Sequence, residues 1–492
     1  MRLEIQAIGG ESARVGGRGR NVKCGADTPS YCCRKNSART IAESIAGAMR
    51  LTTSIHRHRT RIFWPTSPEL AINVHSALPF RIQRSGGIRR RAHSEIKVSE
   101  RVQAKNFMAT CGQPTIFLGG RSNLLCGWVG SALRTETTFH QLSPYIGKVK
   151  SSMAASLVSR FTSQGDLVYD PFSGSGTIAL EAWLAGRRVL ANDISPYAST
   201  LTRAKMFPCR CLEDALSDID HLSGEADKLR DAIDLRSIPR WVRRFFHPET
   251  LREALAWTRL LRTRRRWFLL ASLLGILHHQ RPGFLSFPSS HTVPYLREKK
   301  FPRHRFPALY AYRSVRDRLE SKVKRAFRRV PNLDFGLARA CACRDAGTLA
   351  PMKMVDSIIT SPPYMRQLDY GRDNRLRLWF LGAHDWRSLD AIASPSEGTF
   401  LSLMRRCFTV WRKHLKPDHF CILVMGNACS RNGREDLPEV VCRIATDEIG
   451  GYTLELKYTE AIPNERRVRR GIVGSTSETI LVLRNRRTRD PA

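Results

Sequence analysis

The sequence predicts an α/β protein: a doubly wound, mainly parallel seven-stranded sheet with a largely helical insertion and a basic, disordered N-terminal extension. Three observations carry that prediction. From Ser151 to the last strand pattern, Glu478 to Leu483, short apolar runs alternate with segments that are apolar at helical spacing. The strand pattern Leu167-Val168-Tyr169 ends in Asp170-Pro171-Phe172-Ser173-Gly174-Ser175-Gly176-Thr177 and runs straight into a helical pattern, Ile178 to Gly186. A second buried-strand pattern, Val355 to Ile359, ends in Thr360-Ser361-Pro362-Pro363-Tyr364, where two proline rings stiffen a loop that presents a hydroxyl, two carbonyls and an aromatic face.

With 492 residues the chain is long enough for more than one folding unit, and its apolar content of 42% is ordinary for a globular protein. Its charge is not ordinary. Against 44 Asp+Glu stand 81 Lys+Arg, leaving +37, which points to a polyanionic partner where the cations cluster. The 13 cysteines include Cys32-Cys33 and the C-x-C pairs Cys209/Cys211 and Cys341/Cys343 but no CxxC. That pattern suits reduced thiols better than a disulfide framework or a zinc site, so no structural metal is expected. The longest apolar run, Phe268 to Leu277, is too short to span a bilayer, and no apolar segment follows the basic start. The expectation is a cytoplasmic protein without a membrane partner.

Taken in order, residues 1–107 mix Gly, Ser and Arg without sustained periodicity, apart from one short helical pattern at Ser37 to Leu51. They read as a basic extension, either solvated or an arm on nucleic acid, with a translation start at Met108 as the alternative. Residues 108–206 read as the ligand-binding half of the sheet. Here a helix, Ser151 to Phe161, feeds the first strand through Gly165-Asp166. Gly174 and Gly176 remove side chains where backbone must approach a ligand, and the helix after them offers unpaired N–H groups. Asp170 at the strand end is placed to bond that ligand. The second strand, Arg187 to Ala191, closes in Asn192-Asp193; a carboxylate there, about twenty residues beyond the turn, is positioned to take two ribose hydroxyls.

Residues 207–332 form the insertion. Its centre is rich in Pro, Ser, His and aromatics, and its cations group as Arg264-Arg265-Arg266, Lys299-Lys300 with Arg303 and Arg305, and Lys322 to Arg329. Basic groups interleaved with Phe, Tyr and Trp suit phosphate contacts plus base stacking, whereas a solvated helical cap is the plainer reading. His278 and His279 read as packed or surface residues. In residues 333–492 the strand patterns are Leu333 to Cys343, Val355 to Thr360, Phe420 to Met425, Tyr452 to Tyr458 and Glu478 to Leu483, with helices at Arg375 to Leu381 and Phe400 to Leu415. A late basic run that includes Arg466 and Arg467 lies between the last two strands, able to flank the same edge.

DPFSGSGT, NDISP and TSPPY together resemble the motifs of S-adenosylmethionine-dependent amino-methyltransferases, the N4-cytosine and N6-adenine DNA enzymes. The resemblance covers roughly Phe139 to Arg484 apart from the insertion. It implies a Rossmann-like fold and S-adenosylmethionine as cofactor, held by Asp170, Pro171, Phe172, Ser173, Gly174, Ser175, Gly176 and Thr177 for its methionine part. Asp193 with Ile194 would hold the ribose, and Asp345, in Cys343-Arg344-Asp345-Ala346, the adenine amino group. Phe139 to Arg160 looks like the family helix before the turn, with Lys148 near its cofactor end. Ser361, Pro362, Pro363 and Tyr364 correspond to the loop that grips the target amino group. The insertion sits where the family often places its target-recognition region.

The expected chemistry is methyl transfer to an exocyclic amine. Its nitrogen is a poor nucleophile until hydrogen bonds to Ser361 and the Pro362 carbonyl draw its lone pair out of conjugation while Tyr364 stacks on the ring. The loop holds no cysteine, which argues against ring-carbon methylation through a covalent adduct. Ser at the first loop position resembles the cytosine N4 enzymes more than the adenine N6 group. The expected partner is DNA, with RNA methylated at an exocyclic amine such as guanine N2 as the alternative; a cognate restriction endonuclease accompanies some such enzymes. The non-enzymatic alternative is a nucleic-acid-binding protein on a degenerate methyltransferase fold.

Overall fold

Every residue of β4 (Val355–Thr360) is buried, as a strand flanked on both edges and covered on both faces must be. In the computed structural model it lies at the centre of a seven-stranded sheet of order β3-β2-β1-β4-β5-β7-β6. The structure describes residues 136–279, 281–290, 293–363, 369–393, 396–427, 436–462 and 476–486; the expected N-terminal extension, Tyr364, Arg466 and Arg467 lie outside them.

Parallel pairing joins β1 (Leu167–Asp170) to β2 (Arg188–Asn192) and to β4, β2 to β3 (Arg339–Ala342), and β4 to β5 (Leu415–Gly426). The last strand, β7 (Ser477–Asn485), runs antiparallel between β5 and β6 (Tyr452–Ala461). Chain order therefore reverses between β1 and β4, the switch point where an open α/β sheet leaves a crevice at its carboxyl edge. Both motif loops leave the sheet there.

The expected third strand is shorter than its apolar pattern. Asp334 takes the Gly336 amide on its side chain and the Trp183 indole N–H on its carbonyl, so the chain turns through residues 334–337 and pairs only from Arg339. The fifth strand is longer than expected. Leu415 already pairs with Val355, and Lys416-Pro417-Asp418 bulge out before pairing resumes at Phe420 opposite Ser357, with Asp418 at φ 62°. Nor is Phe139 to Arg160 one helix: a 3-10 turn (Thr138–Gln141) and an irregular stretch precede the helix Ser151–Phe161.

Two apolar clusters cover the faces of the sheet. On one, the helix Glu397–His414 buries Phe400, Met404, Phe408 and Trp411, a stripe at helical spacing in which each large side chain contributes about 1.5–3 kcal/mol. The other face carries the helices Ser151–Phe161, Thr177–Leu184 and Pro196–Met206 together with the insertion, whose helices Leu212–Asp231, Pro248–Thr263 and Trp267–Ile276 share that same core. Arg377, 1% exposed, stitches the insertion to the sheet by donating to the Leu274 carbonyl while lying over the Tyr197 ring. His278 and His279 are buried, the first at 2.9 Å from the Ser290 carbonyl and the second stacked on Phe284. Among the described residues no helix is long and apolar enough to cross a membrane.

Candidate cofactor and target site

Beyond Asp170 the chain turns through Gly174 and Gly176, at φ 52° and 72°. A Cβ on Gly176 would lie 2.8 Å from the Thr202 Cα, and one on Gly174 3.3 Å from the Tyr145 ring. The helix Thr177–Leu184 begins at the next residue with Gly176 as its N-cap, which leaves its first amides pointing out of the turn.

This turn forms one wall of a pocket at the carboxyl edge of the sheet. Phe172, Ser173, Gly174, Ser175 and Thr177 line it from the turn; Asp193 and Ile194 from the end of β2; Asp345 from the end of β3; Lys148 from the stretch before the first helix; and Ser361 and Pro363 from the end of β4. The sheet has brought together residues more than two hundred positions apart in the chain.

Backbone amides hold the two carboxylates in place. Asp193 accepts from the Gly174 amide on Oδ2 and the Ser195 amide on Oδ1, both at 2.8 Å, so it fixes the turn while each oxygen keeps a lone pair for a ligand. Burial raises its carboxyl to about 6, against the pull of the two amides. Asp345 accepts from the Gly347 amide at 2.8 Å and pairs with Arg406 at 2.9 Å. Buried Asn192 ties the edge together, donating to the Pro171 and Arg344 carbonyls and accepting from the Arg344 amide.

Asp170 departs from its expected role. It does not line the pocket, is 1% exposed, and accepts on Oδ1 from the Thr360 hydroxyl at 2.7 Å, which in turn accepts from the Phe172 amide at 3.0 Å. Burial lifts its carboxyl to about 8, against the Thr360 bond. The relay clamps the glycine turn to the last residue of β4 and so sets the two motif loops against each other. Pro171, Gly176 and Pro362 are buried and likewise lie outside the pocket lining.

The Ser361 hydroxyl donates to the Val424 carbonyl of β5 at 2.9 Å. A serine has one proton to give, so this bond leaves Ser361 Oγ with only acceptor capacity toward the pocket. Sequence reading missed that partner, which sits sixty-three positions away. It gave no pocket role to Tyr145 or to Tyr370, the latter part of the Asp369-Tyr370-x-Arg372 pattern that resembles a family subgroup; both line the pocket, with ring centroids 6.1 Å apart.

Behind the turn lies a buried ionisable cluster. His140 contacts Glu181 at 2.6 Å and is held well below its ordinary pKa by burial and by Lys205 and Lys148. Burial also raises Glu181 to about 7 and lowers Lys205, 2% exposed and without a hydrogen-bond partner among the described residues, to about 7. Between that pH and the ordinary lysine value near ~10.4 the unfolded chain binds the extra proton, so this side chain makes stability rise with pH across the window and costs most below it. Lys205→Met is therefore expected to melt a few degrees above the parent near neutral pH, the gap closing toward about pH 10; melting curves across that range check it.

The expected nucleic-acid residues divide. Arg264 pairs with Glu225 and Arg266 with Asp218, at 2.8 and 3.3 Å, and Arg265 sits beside them in a separate polar pocket with Arg210 and Trp267. Lys299, Lys300, Arg303 and Arg305 are exposed.

Residues 145–203 match the family model described as DNA methylase, a span that includes the glycine turn and Asp193 and stops before the Ser361 loop. Among solved structures the chain is similar to TrmN from Thermus thermophilus, with 15% identity over 70% of this chain and 52% of that one, at a TM-score of 0.28. It thus spans about half the length of that protein. It is also similar to the glycopeptide N-methyltransferase MtfA solved with S-adenosylmethionine, with 10% identity over 69% and 88% at 0.28, and to the rRNA methyltransferase aviRa from Streptomyces viridochromogenes, with 12% over 75% and 94% at 0.26. No curated protein matches.

Proposed function

We propose that this chain is an S-adenosylmethionine-dependent methyltransferase acting on an exocyclic amino group of a nucleic-acid base, cytosine N4 in DNA by preference. The observation that carries this reading is the meeting, at one switch point, of a ligand cradle (Gly174, Asp193, Asp345) with Ser361 held as a pure acceptor. The residues fit the cofactor. Gly174 leaves beside Tyr145 the space that a Cβ would fill, and two carboxylates at the ends of adjacent strands suit ribose hydroxyls and an adenine amino group.

Bound there, S-adenosylmethionine supplies a methyl group already activated on a sulfonium. The protein's task is alignment. Ser361 Oγ accepts one N–H of the target amine and the Pro362 carbonyl the other, which fixes the nitrogen and draws its lone pair away from the ring. Tyr364 is assigned to stack on that ring. The Asp170–Thr360–Phe172 relay keeps target loop and cradle in register, and the pocket walls keep water from the reacting atoms. A base within a duplex must first be flipped out, at a cost of a few kcal/mol.

Calorimetric titration of the purified chain with S-adenosylmethionine tests the reading at its base. Saturable binding at one site per chain is expected; no heat at millimolar ligand would leave only the scaffold alternative.

A further inference from the structure

Several cations on the helices of the insertion are neutralised in place: Arg230 by Asp227 and Asp231, Arg264 by Glu225, Arg266 by Asp218 and Arg316 by Asp220. Lys299, Lys300, Arg303 and Arg305, all exposed, form no ion pair among the described residues. Around these four the chain gathers aromatic rings. Arg303 lies over both Phe287 and Tyr310, at 5.0 and 4.7 Å, and Lys300 over Phe301 at 5.8 Å, while Phe301 meets Phe306 edge-on at 5.6 Å. Phe306 is 39% exposed and Tyr295 50%.

This surface is built, and it is tied to the helix that begins at the candidate pocket. Buried Arg313 anchors it by donating to the Phe284 and Leu309 carbonyls, each at 2.7 Å, and to that of Ser286. Arg375 donates to the Pro294 carbonyl at 2.7 Å from the helix Tyr370–Phe380, whose first residue lines the candidate pocket.

We propose that residues 295–310 form a platform for an unpaired stretch of the nucleic-acid substrate, an inference that rests on the methyltransferase reading above. Phe306 and Tyr295 stack exposed bases, Arg303 stiffens the ring cluster and meets a phosphate, and Lys299, Lys300 and Arg305 hold the backbone. A duplex keeps its bases stacked inside and offers such rings nothing. The substrate class is therefore single-stranded, or locally opened, nucleic acid.

Fluorescence anisotropy of the full chain with labelled single-stranded DNA, single-stranded RNA and duplex DNA of one sequence, over a range of salt, tests this. The wild type is expected to bind a single strand more tightly than the duplex, and the two single strands tell which sugar it takes. K299A/K300A/R305A should reduce the slope of log K against log salt by about 2, and Phe306→Ala should weaken binding roughly tenfold at constant slope. R230A/R236A, on the helical face, should change neither, and melting curves verify that each variant is folded. Preference for duplex, or a triple variant with wild-type slope while methyl transfer persists, overturns the platform and leaves the methyltransferase reading standing. Binding with this mutational pattern but no methyl transfer to any nucleic acid supports the platform and overturns that reading instead.

Discussion

Replacing Asp193 with alanine is expected to weaken S-adenosylmethionine binding by roughly a hundredfold, about 3 kcal/mol, the worth of two hydrogen bonds to a charged acceptor. The same carboxylate accepts from the Gly174 and Ser195 amides, so part of the loss comes from a cradle no longer held in shape. Its carboxyl titrates at about 6, and the acceptor form is the ionised one. Wild-type affinity should therefore fall as pH drops below that value, and the alanine variant should lack this dependence. Calorimetry at several pH values checks both, and an Asp193→Ala chain with wild-type affinity would remove the ribose assignment.

Ser361→Ala should leave cofactor affinity unchanged and lower methyl transfer by about a hundredfold, the scale seen when one preorganised hydrogen-bonding group is removed from a reacting centre. If Ser361 acts on the amine as it becomes nucleophilic, kcat and kcat/KM should fall together; a rise in KM alone would make it a simple binding contact. Losing the hydroxyl also leaves the Val424 carbonyl without its partner, at a cost of about 1 kcal/mol. That is far too little to unfold the chain, so steady-state kinetics can be read directly.

The topology was legible because strand and helix periods differ and because β1 and β4 each run into an unmistakable loop. Where the strand pattern failed, contacts outside it decided: Asp334 turned the chain before β3, and Leu415 pairs with Val355 ahead of a bulge at Lys416-Pro417-Asp418, which starts β5 early. Asp345 was placed by the family resemblance of its turn, whereas Asp193 could be placed on the pocket from sequence because strand ends at a parallel sheet's carboxyl edge converge. Asp170 could not. A carboxylate in a ligand motif and one in a clamp look alike until Thr360, far along the chain but adjacent across the sheet, is seen to take it. Long-range partners of this kind, Val424 for Ser361 and Tyr370 for Tyr145, leave no local periodicity. The charge balance was legible only as a total. That Arg264 and Arg316 on the insertion's helices are paired with acidic neighbours while Lys299, Lys300, Arg303 and Arg305 are exposed is a property of the folded surface.

The most direct measurement is transfer of isotopically labelled methyl from S-adenosylmethionine to DNA and to RNA, followed by digestion to nucleosides and mass spectrometry that separates N4-methylcytosine, N6-methyladenine, N2-methylguanine and C5-methylcytosine. Label on an exocyclic nitrogen, cytosine N4 foremost, that is lost in Ser361→Ala is the predicted result. Label on ring carbon C5, or none on either nucleic acid from a chain that binds the cofactor, would contradict it.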